Sequence, residues 1–131
     1  MRKDIHAPMV EGVAMAMVRE ADEDGADAWY VYLINRNDCA LENVLVSSRG
    51  YGELKGEARK TSEMRHFLDK LDPNSWARIE RIMEDVFALS NQYWLSFYIG
   101  RTLHDKKYIF MAGSIDEANF TTLPLMNTRG V

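Results

Sequence analysis

Apolar and polar positions alternate most clearly over residues 92–111, where two aromatic-rich runs flank a short polar turn at Gly100. A period of two is typical of β-strands, and a glycine-containing turn between two such runs predicts a β-hairpin. We expect a three-residue turn, Gly100-Arg101-Thr102. The segment therefore indicates a sheet protein with aromatic faces.

Both faces of this predicted hairpin are apolar. With a three-residue turn, Trp94, Tyr98 and Tyr108 lie near one another, and the opposite face holds Tyr93, Leu95, Phe97 and Ile99. One face belongs to the core. The other is buried too, as most aromatic side chains are, or it forms a partner surface, because large exposed apolar patches usually mark interfaces. Trp94, Tyr98 and Tyr108 are thus the candidate interaction surface.

Further segments have strand patterns. Residues 28–35 are apolar on both faces, which predicts a central strand, and residues 41–48 predict its partner. Residues 9–20 fit either a helical stripe or a strand. We favour a strand, because Gly12 weakens a helix and the polar turn at 22–27 would complete a hairpin.

Residues 49–63 form the longest polar stretch, with three glycines and many charges. This composition predicts a mobile, exposed loop. Loops of this length in a compact domain are either functional or disordered.

The segment 76–89 supports two interpretations. Residues 64–71 resume an apolar pattern, and residues 72–75 form a turn. After that turn the apolar residues have helical spacing, and Ser75 is a suitable N-cap. The alternative is a strand over 77–82 followed by a short helical turn.

The fold prediction follows from the regular spacing of the strands. Short strands with turns between them suggest a sandwich or barrel, and Leu71-x-Pro73-x-Ser75 resembles the turn before a late strand of immunoglobulin-like sandwiches. We therefore expect one domain over 1–131, an all-β, immunoglobulin-like antiparallel β-sandwich of about seven strands. The alternative is an α+β fold with a helix at 76–89 packed on an antiparallel sheet.

Composition argues against several classes of protein. The net charge of −4 argues against nucleic-acid binding, which usually needs a basic excess. The single cysteine, Cys39, forms no internal disulfide, so we expect a reducing cytoplasm. No run approaches the roughly 18 apolar residues of a membrane span, and the segment after the N-terminus lacks the pattern of a signal peptide.

The sequence offers no catalytic constellation and no metal or cofactor site. His6, His66 and His104 are isolated, whereas metal sites need several converging ligands. Cys39 follows Asp38, an acid that disfavours the reactive thiolate, so we interpret this cysteine as structural.

Two weaker patterns also have ordinary explanations. Asp22, Asp24 and Asp27 lack the bidentate glutamate that closes a calcium loop. Gly50-x-Gly52-x-x-x-Gly56 resembles a dinucleotide loop, but no parallel-sheet pattern follows it. We interpret the first as a solvated turn and the second as a surface loop.

Two alternative functions depend on the middle of the chain. A small-ligand site, in a binding protein or an enzyme, would use Arg49, Tyr51, His66 and His104 around a pocket. A weaker alternative is nucleic-acid contact through residues 49–65, where basic residues are concentrated but mixed with glutamates.

Three strings resemble a group of small bacterial proteins of unknown function: Val44-Leu45-Val46-Ser47-Ser48-Arg49-Gly50-Tyr51, Tyr93-Trp94-Leu95-Ser96-Phe97-Tyr98 and Asp105-Lys106-Lys107-Tyr108-Ile109-Phe110. Some members carry an automatic label of phenylalanyl-tRNA synthetase subunit. The class-defining motifs of that enzyme are not in this sequence, and the chain is too short for its catalytic domain. The resemblance therefore implies no activity.

The aromatic alternation, together with the lack of catalytic motifs, favours a non-enzymatic interaction module. We expect a cytoplasmic protein that forms a homodimer through an aromatic sheet face, with a further protein partner possible and no membrane association.

Overall fold

The computed structural model describes residues 10–54, 56–60, 63–123, 125–126 and 129–131. The regular structure in these ranges is almost entirely β, as the sequence predicts. Its strands are β1 Val13–Ala21, β2 Asp27–Asn35, β3 Leu41–Leu54, β4 Glu57–Lys60, β5 Met64–Leu71, β6 Ser75–Ile82, β7 Ser90–Ile99, β8 Thr102–Phe110, β9 Thr121–Thr122 and β10 Arg129–Gly130. Two short 3-10 turns cover Glu84–Val86 and Glu117–Asn119.

The strands form two antiparallel sheets that pack as a β-sandwich. The smaller sheet has the order β1-β2-β6. In the larger sheet β3 pairs with β7 on one side and with β4 and β5 on the other, and β8 lies beyond β7. The predicted sandwich is therefore confirmed.

Alternation along the strands builds the core between the sheets. From the smaller sheet β2 contributes Val31 and Leu33, and from the larger sheet β7 contributes Leu95 and Phe97. All four are at most 1% exposed. Burial of each such side chain stabilises the fold by roughly 1.5–3 kcal/mol.

The outward face of β2 is buried as well, which confirms it as a central strand. Leu123 and Met126, from the C-terminal segment, belong to the apolar cluster of Tyr30 and Ile34 on that face. Because the C-terminal segment packs on the outward face of β2, residues 28–35 are apolar on both faces.

The C-terminal segment also covers the edge of β1. The N–H of Val131 donates to the oxygen of Met17 at 2.9 Å, and the N–H of Met17 donates to the oxygen of Val131 at 3.1 Å. These bonds satisfy backbone groups that an open edge would leave unpaired.

The helix of the alternative fold is wrong, since residues 75–82 form β6 and only a 3-10 turn follows. Val31 pairs with Glu80 and the adjacent Tyr32 with Arg78, so Ile79 is an extra residue in the ladder. Such a bulge shifts the alternation by one position. The shift produces apolar spacing that imitates a helix.

The predicted polar loop is also corrected. Residues 49–54 continue β3, and Glu57–Lys60 form β4, which pairs back on β3. Gly56, with φ of 78°, lies in the turn between them. Residues 55, 61 and 62 of the expected loop lie outside the described residues.

The turn of the 92–111 hairpin has two residues, not three. Ile99 pairs directly with Thr102, which leaves Gly100 and Arg101 as the turn. Gly100 has a φ of 63°. Two-residue hairpin turns favour a positive φ at their first central residue, a conformation that glycine adopts easily. Within the part of the chain that the structure describes, no helix is long and apolar enough to cross a membrane.

Candidate functional site

The four predicted ligand contacts lie in three different places. Arg49 and Tyr51 are neighbours on the outward face of β3, with the guanidinium 5.8 Å from the ring centroid. His66 points between the sheets, towards Glu80. His104, on β8, stacks on Phe97 with the ring centroids 5.2 Å apart. The structure does not bring these side chains together into one pocket.

Of the three residues predicted to form an aromatic surface, two lie on the outward face of the larger sheet and one does not. Trp94 is 47% exposed and Tyr98 is half-buried, both on the outward face of β7. Tyr108 pairs directly with the buried Tyr93 and therefore lies on the inward face. Its hydroxyl donates to the backbone oxygen of Val13 at 3.0 Å. The one-residue error in turn length explains this misplacement, because a register slip moves a side chain to the other face.

The outward face of β5, β3, β7 and β8, here called the outer face, is the main exposed apolar surface of the larger sheet. Its exposed fractions are 59% for Phe67, 48% for Leu103, 44% for Ile109 and 37% for Leu45, in addition to Trp94. None of the described residues forms a second layer over these side chains.

Strand register arranges the outer face in four rows. Each row crosses the strands in the order β5, β3, β7, β8. The first central row is Arg65, Ser47, Trp94, Lys107. The second central row is Phe67, Leu45, Ser96, Asp105. One flanking row, on the side of Arg65, is Arg49, Gln92, Ile109. The other, on the side of Phe67, is Lys70, Glu42, Tyr98, Leu103. Charges of both signs therefore lie at each end of the outer face, with Arg65 3.7 Å from Glu63 at one end and Lys70 paired with Glu42 at the other.

Trp94 borders a shallow depression in the outer face. The depression has a volume of about 220 Å³ and includes Arg49, Glu63 and Gln92 in its lining. The Lys107 ammonium lies 5.1 Å from the Trp94 ring. The site thus contains Trp94 and Arg49, two residue types that are enriched in interfaces, together with Lys107 and Glu63, two types that are depleted there.

A second site, which sequence reasoning missed, lies between the sheets. Glu80 of β6 accepts a hydrogen bond from the Tyr93 hydroxyl at 3.1 Å, and its oxygens lie 3.1 and 3.2 Å from the Ser48 hydroxyl. His66 Nε2 lies 2.6 Å from Glu80 Oε1. We call Glu80, Ser48, His66 and Tyr93 the carboxylate cluster. It joins β6 to three strands of the opposite sheet.

A weak signal for this cluster exists in the sequence. If residues 77–82 form a strand, Glu80 is in phase with Ile82, an apolar and inward position. A carboxylate on an apolar face needs hydrogen-bond partners. The partners lie on β3, β5 and β7, so local pattern could not identify them.

The order of groups in the cluster does not match a nucleophilic triad. In a triad the histidine lies between the serine and the acid and takes the proton of the nucleophile. Here Glu80 lies in the centre, and Ser48 donates to it. Burial, together with the nearby Glu80 carboxylate, raises the pKa of the Tyr93 hydroxyl, which therefore remains a protonated donor.

A cavity of about 260 Å³ opens beside the carboxylate cluster. Ser48, Glu80, Tyr93 and Asn91 are among the residues that line it, and so are Met64 and Met83, which are 53% and 58% exposed. A mainly apolar cavity with a few convergent polar groups is the usual form of a small-molecule site.

A polar cluster on the outward face of the smaller sheet has a structural explanation. Tyr32 donates to Glu20, and Arg78 Nη2 donates to the same carboxylate at 2.8 Å. The Arg78 guanidinium lies 4.0 Å from the Tyr30 ring centroid. Burial, followed by the bond to Glu20, raises the pKa of Tyr32. The cluster ties β1, β2 and β6 together.

Asp22 stabilises the turn between β1 and β2. Its Oδ1 accepts from the N–H groups of Asp24 and Ala26, at 2.9 and 3.0 Å. Among the described residues, no group of three or more histidines, cysteines or acids is arranged to hold a metal ion. Cys39 is free and exposed.

No protein-family model and no curated protein sequence matches this chain.

Proposed function

We propose that the protein is a non-enzymatic interaction module that forms a homodimer through the outer face of the larger sheet. The observation that carries this proposal is Trp94, a large aromatic side chain that is 47% exposed among four further exposed apolar residues. Aromatic residues are enriched in protein interfaces, where they often dominate the binding energy.

The charges of the outer face suit a second copy of the same face. If a two-fold axis runs across the strands between the two central rows, Lys107 of one copy faces Asp105 of the other. The flanking rows then bring Arg49 towards Glu42 of the second copy. Like charges would not meet, which is the condition for a self-complementary isologous interface.

The apolar residues suit the same axis. Ile109 of one copy would face Leu103 of the other, and Trp94 would lie over the small Ser96. Tyr98 of the second copy would approach Gln92, beside the depression next to Trp94. An axis parallel to the strands would instead place Lys107 opposite Arg65, which is unfavourable.

The size of the face predicts a weak dimer. Four strands at about 4.8 Å and eight residues at about 3.3 Å give roughly 500 Å² for each copy. The total of about 1,000 Å² lies at the low end for specific interfaces. We therefore expect a dissociation constant in the micromolar range or weaker.

The strand order supports an immunoglobulin-like form of the sandwich. The smaller sheet β1-β2-β6 corresponds to strands A, B and E, and β3, β7 and β8 correspond to C, F and G. β5 pairs with β3 and not with β6, so it takes the C′ position.

The exposed, unpaired thiol of Cys39 supports a reducing compartment, such as the cytoplasm.

Sedimentation velocity over a range of concentrations tests the dimer. Trp94→Ala should weaken self-association by about tenfold or more, as expected for a central aromatic residue. Trp76→Ala is the matched control, because Trp76 is 43% exposed on the other sheet. A wild-type protein that stays monomeric at several hundred micromolar, or equal effects of the two substitutions, would contradict the proposal.

A further inference from the structure

We infer that the cavity beside the carboxylate cluster binds a small organic cation, an ammonium group that carries a compact apolar substituent. The site lies between the sheets, away from the outer face, and the inference does not depend on the proposed dimer.

The negative charge of Glu80 is the main reason to expect a cation in the cavity. Its side chain is only 15% exposed, and two of its three donors, Ser48 and Tyr93, are neutral hydroxyls. Among the described residues, His66 is the one cation within ion-pair distance of Glu80, and it is charged only when protonated. A partly buried carboxylate with neutral partners favours a cation beside it.

The other charged groups around the cavity do not neutralise Glu80. Arg81 and Arg49 border the cavity, but the Arg81 guanidinium pairs with Asp22 at 3.5 Å and that of Arg49 lies against Tyr51. Asp85 adds a further carboxylate to the lining. Because Arg81 is paired with Asp22 outside the cavity, the charges that remain in the lining are two carboxylates, Glu80 and Asp85, and one guanidinium, Arg49.

The carboxylate retains capacity for one more donor. An ionised carboxylate offers about four lone-pair positions, and Glu80 receives donors from Ser48, His66 and Tyr93. An ammonium group that enters the cavity would use the remaining position. It would also compete with a protonated His66 for the same charge.

The apolar residues at the rim of the cavity favour an apolar substituent on the ammonium group. Met64 and Met83 lie at the opening with more than half of their surface exposed, and Ile82 and Val86 complete the apolar part of the lining. Methionine adapts its shape and makes favourable contacts with aromatic rings. The volume of about 260 Å³ is below that of most drug-sized sites, so the substituent is small.

Titration with benzylammonium at neutral pH, followed by amide chemical shifts, tests the inference. We expect shifts at Ser48, Glu80 and Tyr93, and binding at least about tenfold tighter than that of the neutral benzyl alcohol, a difference of about 1.4 kcal/mol. Equal binding of the two probes, shifts centred on Trp94, or no shifts would overturn the inference.

Three variants separate the charge of Glu80 from its structural role. Glu80→Gln should weaken the binding of benzylammonium by about tenfold or more. His66→Gln, which removes the imidazole that lies 2.6 Å from Glu80, should leave binding equal or tighter. Met83→Lys adds a cation at the exposed rim, where the fold tolerates it, and should also weaken binding. If Met83→Lys has no effect, or if folded Glu80→Gln binds as well as the wild type, the inference fails. Trp94 is not part of the lining of this cavity. The test of the dimer with Trp94→Ala and the test of cation binding can therefore give opposite results.

Discussion

Glu80 shows how one side chain can join two sheets. The carboxylate accepts hydrogen bonds from Ser48 and Tyr93 and contacts His66, on three different strands of the opposite sheet. Hydrogen bonds to a charged group in a partly buried site contribute more than bonds between neutral groups. The cluster therefore both stabilises the sandwich and places a negative charge beside a cavity.

Removal of one donor should measure the contribution of the cluster to stability. Tyr93→Phe deletes the hydroxyl that donates to Glu80 at 3.1 Å. We expect the free energy of unfolding to fall by about 1.5–3 kcal/mol in urea denaturation. Tyr98→Phe, on the outer face, is the matched control and should change stability by less than about 0.5 kcal/mol. Equal losses from the two substitutions would contradict this role.

Buried tyrosines predict a loss of stability at high pH. Burial raises the pKa of Tyr108 to about 12, above the value of about 10 in an unfolded chain. A raised folded pKa means that the stability is fully present below about pH 10 and is lost as the pH rises towards 12. Urea denaturation across this range should show the decline, and Tyr108→Phe should reduce its slope. An unchanged slope in the variant would show that other groups cause it.

At the scale of elements, two segments take their structure from strands that are distant in sequence. β6 contains a bulge at Ile79, and its pairing with β2 overrides the helical spacing of its apolar residues. β10 lies beside β1 and closes an otherwise open edge. In both cases the backbone bonds to another strand decide the conformation.

The close approach of β10 to β1 makes Gly130 a sensitive position. A Cβ at this residue would overlap the backbone oxygen of Met17. Gly130→Ala should therefore displace the C-terminal segment and accelerate hydrogen exchange at the amides of Met17 and Val131. Thr121→Ala, at the exposed residue that pairs with Gly130, is the control. Unchanged exchange at these two amides in Gly130→Ala would contradict this prediction.

At the scale of the whole molecule, the two sheets differ in how their outward faces are covered. The C-terminal segment buries the face of β2, whereas the outer face of the larger sheet leaves Trp94 and Phe67 exposed. Lys106 and Lys107 on β8 protect that edge strand from further strand pairing, since lysine at an edge disfavours it. We therefore expect association face to face and not edge to edge.

Charge reversal tests the axis of the proposed dimer. Lys107→Glu alone and Asp105→Lys alone should each weaken self-association, because each places like charges opposite one another across the two-fold axis. The double substitution should restore much of the wild-type dissociation constant in sedimentation. An axis parallel to the strands predicts no restoration, and this result would reject the proposed arrangement.

The sequence by itself determined the strands whose signal is local. Period-two alternation was sufficient for β7 and β8, and an aromatic and β-branched run that is apolar on both faces was sufficient for β2. Alternation also showed that Tyr93, Leu95 and Phe97 share one face of β7, because neighbouring side chains on a strand point to opposite faces. The exposure of Trp94 was predicted only as one of two outcomes. Local pattern shows which residues share a face, but not what covers it.

Tertiary structure decided everything that depends on register or on contacts between distant strands. The face of Tyr108 depended on one residue of turn length. Residues 49–54 and 57–60 became strands through the pairing of β3 with β7 and with β4. The carboxylate cluster needs four strands from two sheets. Such contacts are determined by pairing across the whole fold, so the alternation within any single segment does not encode them.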